Sequence, residues 1–94
     1  MRSSMTVPPE LVVGLLGLAD ENLRVLDQAL AADLHVRGNT FTLTGDATDL
    51  ALAERVIAEL IAVVASGQAL TPEAVRHSVG MVEGAENESP AEVL

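Results

Sequence analysis

The 94-residue chain is strongly acidic: fourteen aspartates and glutamates stand against five arginines and no lysine, and the formal net charge is −9. A surface of this charge repels nucleic-acid backbones and anionic lipids in general, so any nucleic-acid site would have to be local. Cysteine is absent, which excludes disulfides and thiol chemistry. No apolar run approaches the ~20 residues that span a bilayer, so we expect a cytoplasmic protein without a membrane partner.

The first part of the chain predicts an edge strand over residues 4–7, because a residue that precedes proline, such as Val7, favours extended geometry. Proline next to it is typical of the first position of a helix, and a short helix through residue 16 should follow. The apolar run of residues 11–16 also fits a buried strand, since its periodicity does not separate the two. Gly17 is the expected end of the helix.

A second helix is expected to begin at Asp20, whose carboxylate could accept hydrogen bonds from the first free amides. Three leucines at helical spacing would give this helix an apolar stripe, namely Leu23, Leu26 and Leu30. We expect the stripe to lie on the apolar face of the hairpin that follows.

The hairpin is predicted by two alternating segments, residues 33–37 and 40–44, with Gly38-Asn39 between them as a two-residue turn. Closing the chain on this turn puts the apolar residues on one face and the polar residues on the other. The predicted pairs are Arg37 with Thr40, Val36 with Phe41, His35 with Thr42, and Leu34 with Leu43.

The last part of the chain predicts two more helices. Asp46 should cap a long helix with a wide apolar face that ends near Gly67, and Thr71-Pro72 should start a C-terminal helix that covers its flank. The sequence from residue 84 is polar, acidic and without periodicity. We therefore predict one domain over residues 1–83 and a flexible tail or linker over residues 84–94.

A catalytic or metal-binding arrangement is not expected. A P-loop needs a lysine, and the chain has none. His35 and His77 lie on different predicted elements without ligand spacing, so we interpret both as surface residues. The serines and threonines have roles in turns, caps and strands. We expect neither a catalytic residue nor a cofactor in this chain.

The predicted order of strand, helix, loop, helix, strand, strand and helix resembles a type I KH domain, an α+β fold with helices packed on one face of a small sheet. KH domains clamp single-stranded nucleic acid with a GxxG loop, and residues 17–20 occupy that place. Here an aspartate replaces the second glycine, so a helix cap and a phosphate-binding loop remain alternatives. The candidate nucleic-acid-binding residues are Gly17, Leu18, Ala19, Asp20, Asn22, Arg24 and, at the hairpin end, Arg37.

Three segments together resemble the N-terminal KH-like domain of PhoH-like proteins: residues 16–24, Arg37-Gly38-Asn39 and Gly45-Asp46. The resemblance covers nearly the whole chain. It implies a fragment that precedes a P-loop ATPase domain, which would bind ATP and Mg²⁺ and is linked by name to phosphate starvation. The composition and the apolar surface left over on the helices favour an assembly or interaction module, with the ATPase domain as partner and association between copies. The fold analogy with the family favours a contribution to RNA binding, through weak contact with single-stranded RNA. The alternative is a stand-alone module that binds single-stranded RNA.

Overall fold

The computed structural model describes residues 1–87 and shows an α+β fold in which four helices accompany a three-stranded antiparallel sheet. The helical alternative for the apolar run after Pro9 is confirmed. In chain order the elements are β1 (Arg2–Thr6), α1 (Pro9–Leu16), α2 (Glu21–Ala29), β2 (Asp33–Arg37), β3 (Thr40–Thr44), α3 (Ala47–Ala65) and α4 (Pro72–Asn87).

The hairpin of β2 and β3 has the predicted register, with Arg37 opposite Thr40 and Leu34 opposite Leu43. Gly38 adopts a φ of 61°, which glycine reaches without a Cβ penalty. The outer face carries the polar residues of both strands, and the inner face carries the apolar ones. Local alternation and turn chemistry were sufficient to fix this part of the fold.

Strand β1 pairs with β3 at the edge of the sheet, so the strand order is β1-β3-β2. It covers residues 2–6 instead of the predicted 4–7. Val7 lies just outside the ladder, where its amide donates to the carbonyl oxygen of Asn39 at 2.9 Å. The Asn39 side-chain amide donates back to the Val7 carbonyl at 3.0 Å. This reciprocal pair ties the end of β1 to the hairpin turn.

The core lies between the inner face of the sheet and the helices. Phe41 at the centre of β3 is fully buried. Helix α3 buries one seam along its length, formed by Leu50, Ala53, Val56, Ile57 and Leu60. Helix α4 packs against both α2 and α3, and its Val75, Val79 and Val82 are buried. Most of the wide apolar face of α3 is therefore covered within the chain.

Two of the three residues predicted at helix N-termini cap their helices. The Asp46 carboxylate accepts a hydrogen bond from the Asp49 amide at 2.8 Å, and the Thr71 hydroxyl accepts one from the Ala74 amide at 3.1 Å. The cap predicted at Asp20 is wrong, since its side chain accepts no bond from α2. Its backbone is left-handed, with φ 59° and ψ 29°, whereas a capping residue needs an extended backbone to aim its carboxylate at the amides.

Helix α4 continues to Asn87, so residues 84–87 of the predicted tail are helical. The rest of that predicted tail, residues 88–94, lies outside the described part of the chain. None of the helices in residues 1–87 combines the length and apolar character that crossing a membrane requires.

Candidate functional site

The loop between α1 and α2 has an unusual backbone. Gly17 ends α1 with a φ of 79°, and its amide donates to the Val13 carbonyl at 3.0 Å. Residues Leu18–Asp20 then form a single tight turn in which Ala19 and Asp20 both have positive φ, 51° and 59°. Non-glycine residues in this region carry strain of about 1–3 kcal/mol each. Surrounding contacts must therefore hold the loop in place.

Arg24 supplies one of these contacts. Its guanidinium Nη2 donates to the carbonyl oxygen of Ala19 at 2.6 Å, five positions earlier in the chain. The bond closes the loop onto the first turn of α2 and orients the strained residues. It also directs one arm of the guanidinium toward the protein's own backbone. Arg24 therefore holds the loop in place, and only its remaining N–H groups are available to bind a ligand.

Asn22 supplies the second contact, from the core side of the loop. It is fully buried, and its Nδ2 donates to the carbonyl oxygen of Leu70 at 3.0 Å, in the connection that precedes α4. The Oδ1 atom is buried without a hydrogen-bond partner. A Cβ placed on Gly17 would stand 2.8 Å from the Asn22 Nδ2, so glycine is required for close approach as well as for its φ. Asn22 therefore supports the loop from the core and is not exposed to a ligand.

A shallow hollow of about 260 Å³ lies beside this loop, between α2 and β2. It contains three of the predicted site residues, Ala19, Asp20 and Arg24. The remaining lining residues are Leu23, Asp27 and Leu34. We call this hollow the groove. Its charged groups are two carboxylates and one guanidinium, and the leucines form its aliphatic floor.

Leu23 and Asp27 were not among the predicted site residues, although a signal for them existed. Positions 20, 23, 24 and 27 fall on one side of a helix at i, i+3, i+4 and i+7. Extending the loop along that side of α2 would have found both residues. Leu34 has no comparable signal, because its place in the groove depends on how the hairpin docks against α2.

The other predicted site residues are spread over different surfaces. Leu18 stands exposed at the tip of the loop, with 83% of its surface accessible. Arg37 is exposed on β2 and lines a separate hollow of about 550 Å³ on the outer face of the sheet, together with Arg2, His35, Val36, Thr40 and Thr42. The structure therefore brings Arg24 to the loop but not Arg37.

The groove's charge limits its chemistry. Phosphate binding is favoured by arginine, lysine and free backbone amides, and here two aspartates face one partly engaged arginine. Among the residues whose side chains the structure describes, no group of three or more histidine, aspartate or glutamate side chains could hold a metal ion. The arrangement suits a small apolar or cationic contact better than a polyanion.

Curated relatives of this chain are named PhoH-like protein. The chain is 72% identical over all 94 residues to the PhoH-like proteins of Mycobacterium tuberculosis H37Rv and Mycobacterium bovis, and 66% identical over the same length to that of Mycobacterium leprae. In each case it covers 27% of the relative, so it spans about a quarter of their length. No protein-family model matches the chain, and no solved structure matches it. The identities confirm the resemblance to PhoH-like proteins.

Proposed function

From the correspondence of the whole chain to one portion of the PhoH-like proteins, we propose that it is an accessory domain that binds other protein domains. In this proposal the fold is KH-like, supported by the element order β1, α1, α2, β2, β3 and α3. Its principal partner is the ATPase domain that the resemblance implies for the rest of such a protein. The accessory role is that of an assembly or interaction module in the cytoplasm.

The observation that carries the proposal is exposed aliphatic surface on α1 and the loop. Val13 and Leu18 are 79% and 83% accessible. Val13 also lines a mainly apolar hollow of about 330 Å³, together with Pro9, Val12, Gly38 and Asn39. Burying a leucine or valine side chain at an interface stabilises it by roughly 1.5–3 kcal/mol. In this proposal Val13, the apolar hollow beside it and Leu18 are what the protein partner covers.

ATP and Mg²⁺ do not fit this chain. The P-loop uses a lysine to reach the β- and γ-phosphates, and the sequence contains none. We therefore assign nucleotide binding and any hydrolysis to the portion of the relatives that this chain does not cover. In this proposal the chain takes no part in the chemical step.

A second candidate is binding of single-stranded RNA by the loop and the groove. Gly17 favours it, because a glycine with positive φ stands between two helices where KH domains place their nucleic-acid loop. The opposing observation is charge, because Asp20 and Asp27 line the same groove as Arg24. The chain has neither tyrosine nor tryptophan, and its Phe41 is buried, so no aromatic ring is available to stack on bases.

The proposal is tested by binding between separately expressed polypeptides. This chain would be titrated calorimetrically against the remaining portion of a PhoH-like protein. The double substitution Val13→Ser and Leu18→Ser should weaken binding at least about tenfold. Met81→Ser is the matched control, because Met81 is 61% exposed on a different helix, and it should change the affinity less than about twofold. Equal effects of the two variants, or no binding at all, would count against the proposal.

A further inference from the structure

The free edge of β2 is the most distinctive surface that the proposed function leaves unused. In the sheet order β1-β3-β2, β2 pairs with β3 on one side and, within residues 1–87, with no strand on the other. It contains no proline. Edge strands of this kind present unpaired amides and carbonyls to other chains.

The hairpin register identifies which backbone groups point outward. Antiparallel ladders alternate hydrogen-bonded and non-hydrogen-bonded pairs, and a two-residue turn is closed by a hydrogen-bonded pair. Arg37 and Thr40 close this turn, so His35, two positions earlier, is also hydrogen-bonded to β3. Val36 and Leu34 alternate with these residues, and their N–H and C=O groups therefore point away from β3. Val36 lines the outer hollow, and Leu34 lines the groove. The free edge therefore runs between two hollows.

The charge on this edge differs from the rest of the protein. On the outer face, β2 carries His35 and Arg37 with a single acid, Asp33, and Arg2 lies on β1 at the opposite edge of the sheet, although the whole chain has fourteen acids and five arginines. His35 and Arg37 are two positions apart on β2, so their side chains emerge on the same face. Acidic side chains two positions apart on an added strand would face them.

The inner side of the same edge is apolar. Leu34 is buried, Val36 is half-buried, and Leu23 of α2 stands beside Leu34 in the groove. A strand added to β2 would project every second side chain toward these residues. Aliphatic side chains at those positions would cover them.

We propose that the free edge of β2 binds an extended peptide segment of a partner protein in which acidic and aliphatic residues alternate. The segment adds a fourth strand to the sheet. Its main chain pairs with Leu34 and Val36, its acids face His35 and Arg37, and its aliphatic side chains face the groove. Such β-strand addition takes affinity from backbone hydrogen bonds and specificity from the alternating side chains.

Backbone pairing favours a peptide over RNA at this surface. A nucleic-acid strand has no amide ladder to match the outward groups of β2. A long polyanion would also extend past the local arginines to surfaces with net negative charge. A short acidic segment that pairs with residues 34–37 faces His35 and Arg37 and ends before Asp33. This surface contains neither Val13 nor Leu18, so the outcome of its test does not depend on the outcome for the proposed function.

The test uses the isotope-labelled chain and an eight-residue synthetic peptide that alternates glutamate with valine or leucine, followed by amide NMR. We expect the largest shifts at Leu34 to Arg37. A peptide of the same composition with acids and aliphatics in separate blocks should bind at least tenfold more weakly. So should the alternating peptide with N-methylated backbone amides, which cannot donate to the strand.

The matched variants are Arg37→Glu and Arg76→Glu, which make the same charge change on β2 and on exposed α4. Arg37→Glu should weaken binding about tenfold, because a favourable charge pair becomes a repulsive one, and Arg76→Glu should have less than a twofold effect. The proposal is overturned if the blocked peptide binds equally well, if both variants act alike, or if the shifts map elsewhere. Tighter binding of a ten-nucleotide single-stranded RNA to the same amides, or displacement of the peptide by a second copy of the chain, would likewise reject it.

Discussion

Replacing Gly17 by alanine should destabilise the domain more than the same change at other glycines with positive φ. Gly17, Gly38 and Gly67 have φ values of 79°, 61° and 89°, so all three variants place alanine at positive φ, which costs about 1–2 kcal/mol. Gly17 also has a ψ of −178°, a combination that is essentially restricted to glycine. Only at Gly17 would the new Cβ meet buried atoms, at 2.8 Å from Asn22 Nδ2 and 2.9 Å from its Cγ. At Gly38 and Gly67 nothing lies within 4 Å.

The overlap at Gly17 adds to the backbone strain. Forcing a methyl group into a packed site typically costs about 1–3 kcal/mol more, and the Asn22 Nδ2 that the methyl group would approach is held by its hydrogen bond to the Leu70 carbonyl oxygen. We expect Gly17→Ala to lower the free energy of unfolding by about 2–5 kcal/mol and Gly38→Ala by about 1–2 kcal/mol. A domain of this length has only about 5–14 kcal/mol in total.

Urea unfolding followed by circular dichroism at 222 nm measures the difference, since the chain has no tryptophan or tyrosine to report by fluorescence. Gly67→Ala serves as a second control. The double variant Gly17→Ala with Asn22→Ala should cost less than the sum of its two single variants, because the shortened side chain removes the overlap. Equal costs at Gly17 and Gly38 would refute the steric argument.

Three further outcomes are expected. Asp46→Ala should cost about 1 kcal/mol by removing the 2.8 Å cap of α3, and an unchanged urea midpoint would contradict the cap's contribution. The isolated chain should bind single-stranded RNA with a dissociation constant no lower than about 10⁻⁴ M, and the affinity should depend only weakly on salt. A micromolar affinity in a fluorescence-anisotropy titration, lost on Gly17→Asp, would restore RNA binding as the leading function. Weak association of copies through remaining apolar surface should strengthen in high salt as charge repulsion is screened, and a strict monomer at high concentration in sedimentation would exclude it.

The parts of the fold that were predictable are those set by local sequence. The register of the hairpin follows from the alternation of residues on either side of Gly38, and the Asp46 cap follows from its position before an apolar helix. Both depend on residues within a few positions of each other. Hydrogen bonds and pairs of this range leave a direct trace in the sequence.

The candidate site was less predictable, because one of its contacts is distant in sequence and the other depends on an unusual backbone conformation. The burial of Asn22 depends on Leu70, which is 48 positions away. Asp20 failed as a cap because Ala19 and Asp20 share a left-handed turn that Arg24 holds from α2. Neither contact follows from local spacing, so a residue predicted to face a ligand is buried and a predicted cap is a loop residue.

The pairing of β1 with β3 has a consequence for how the chain folds. Arg2 pairs with Thr44 and Thr6 with Thr40, so closing this ladder joins residues 34 to 42 positions apart. The hairpin of β2 and β3 closes over two residues and can form within about 1–10 μs. The first strand to be synthesised is therefore expected to be the last to join the sheet, after both helices between it and the hairpin have ordered. Substitutions in β1 should then act mainly on the unfolding rate, and those in the hairpin on the folding rate.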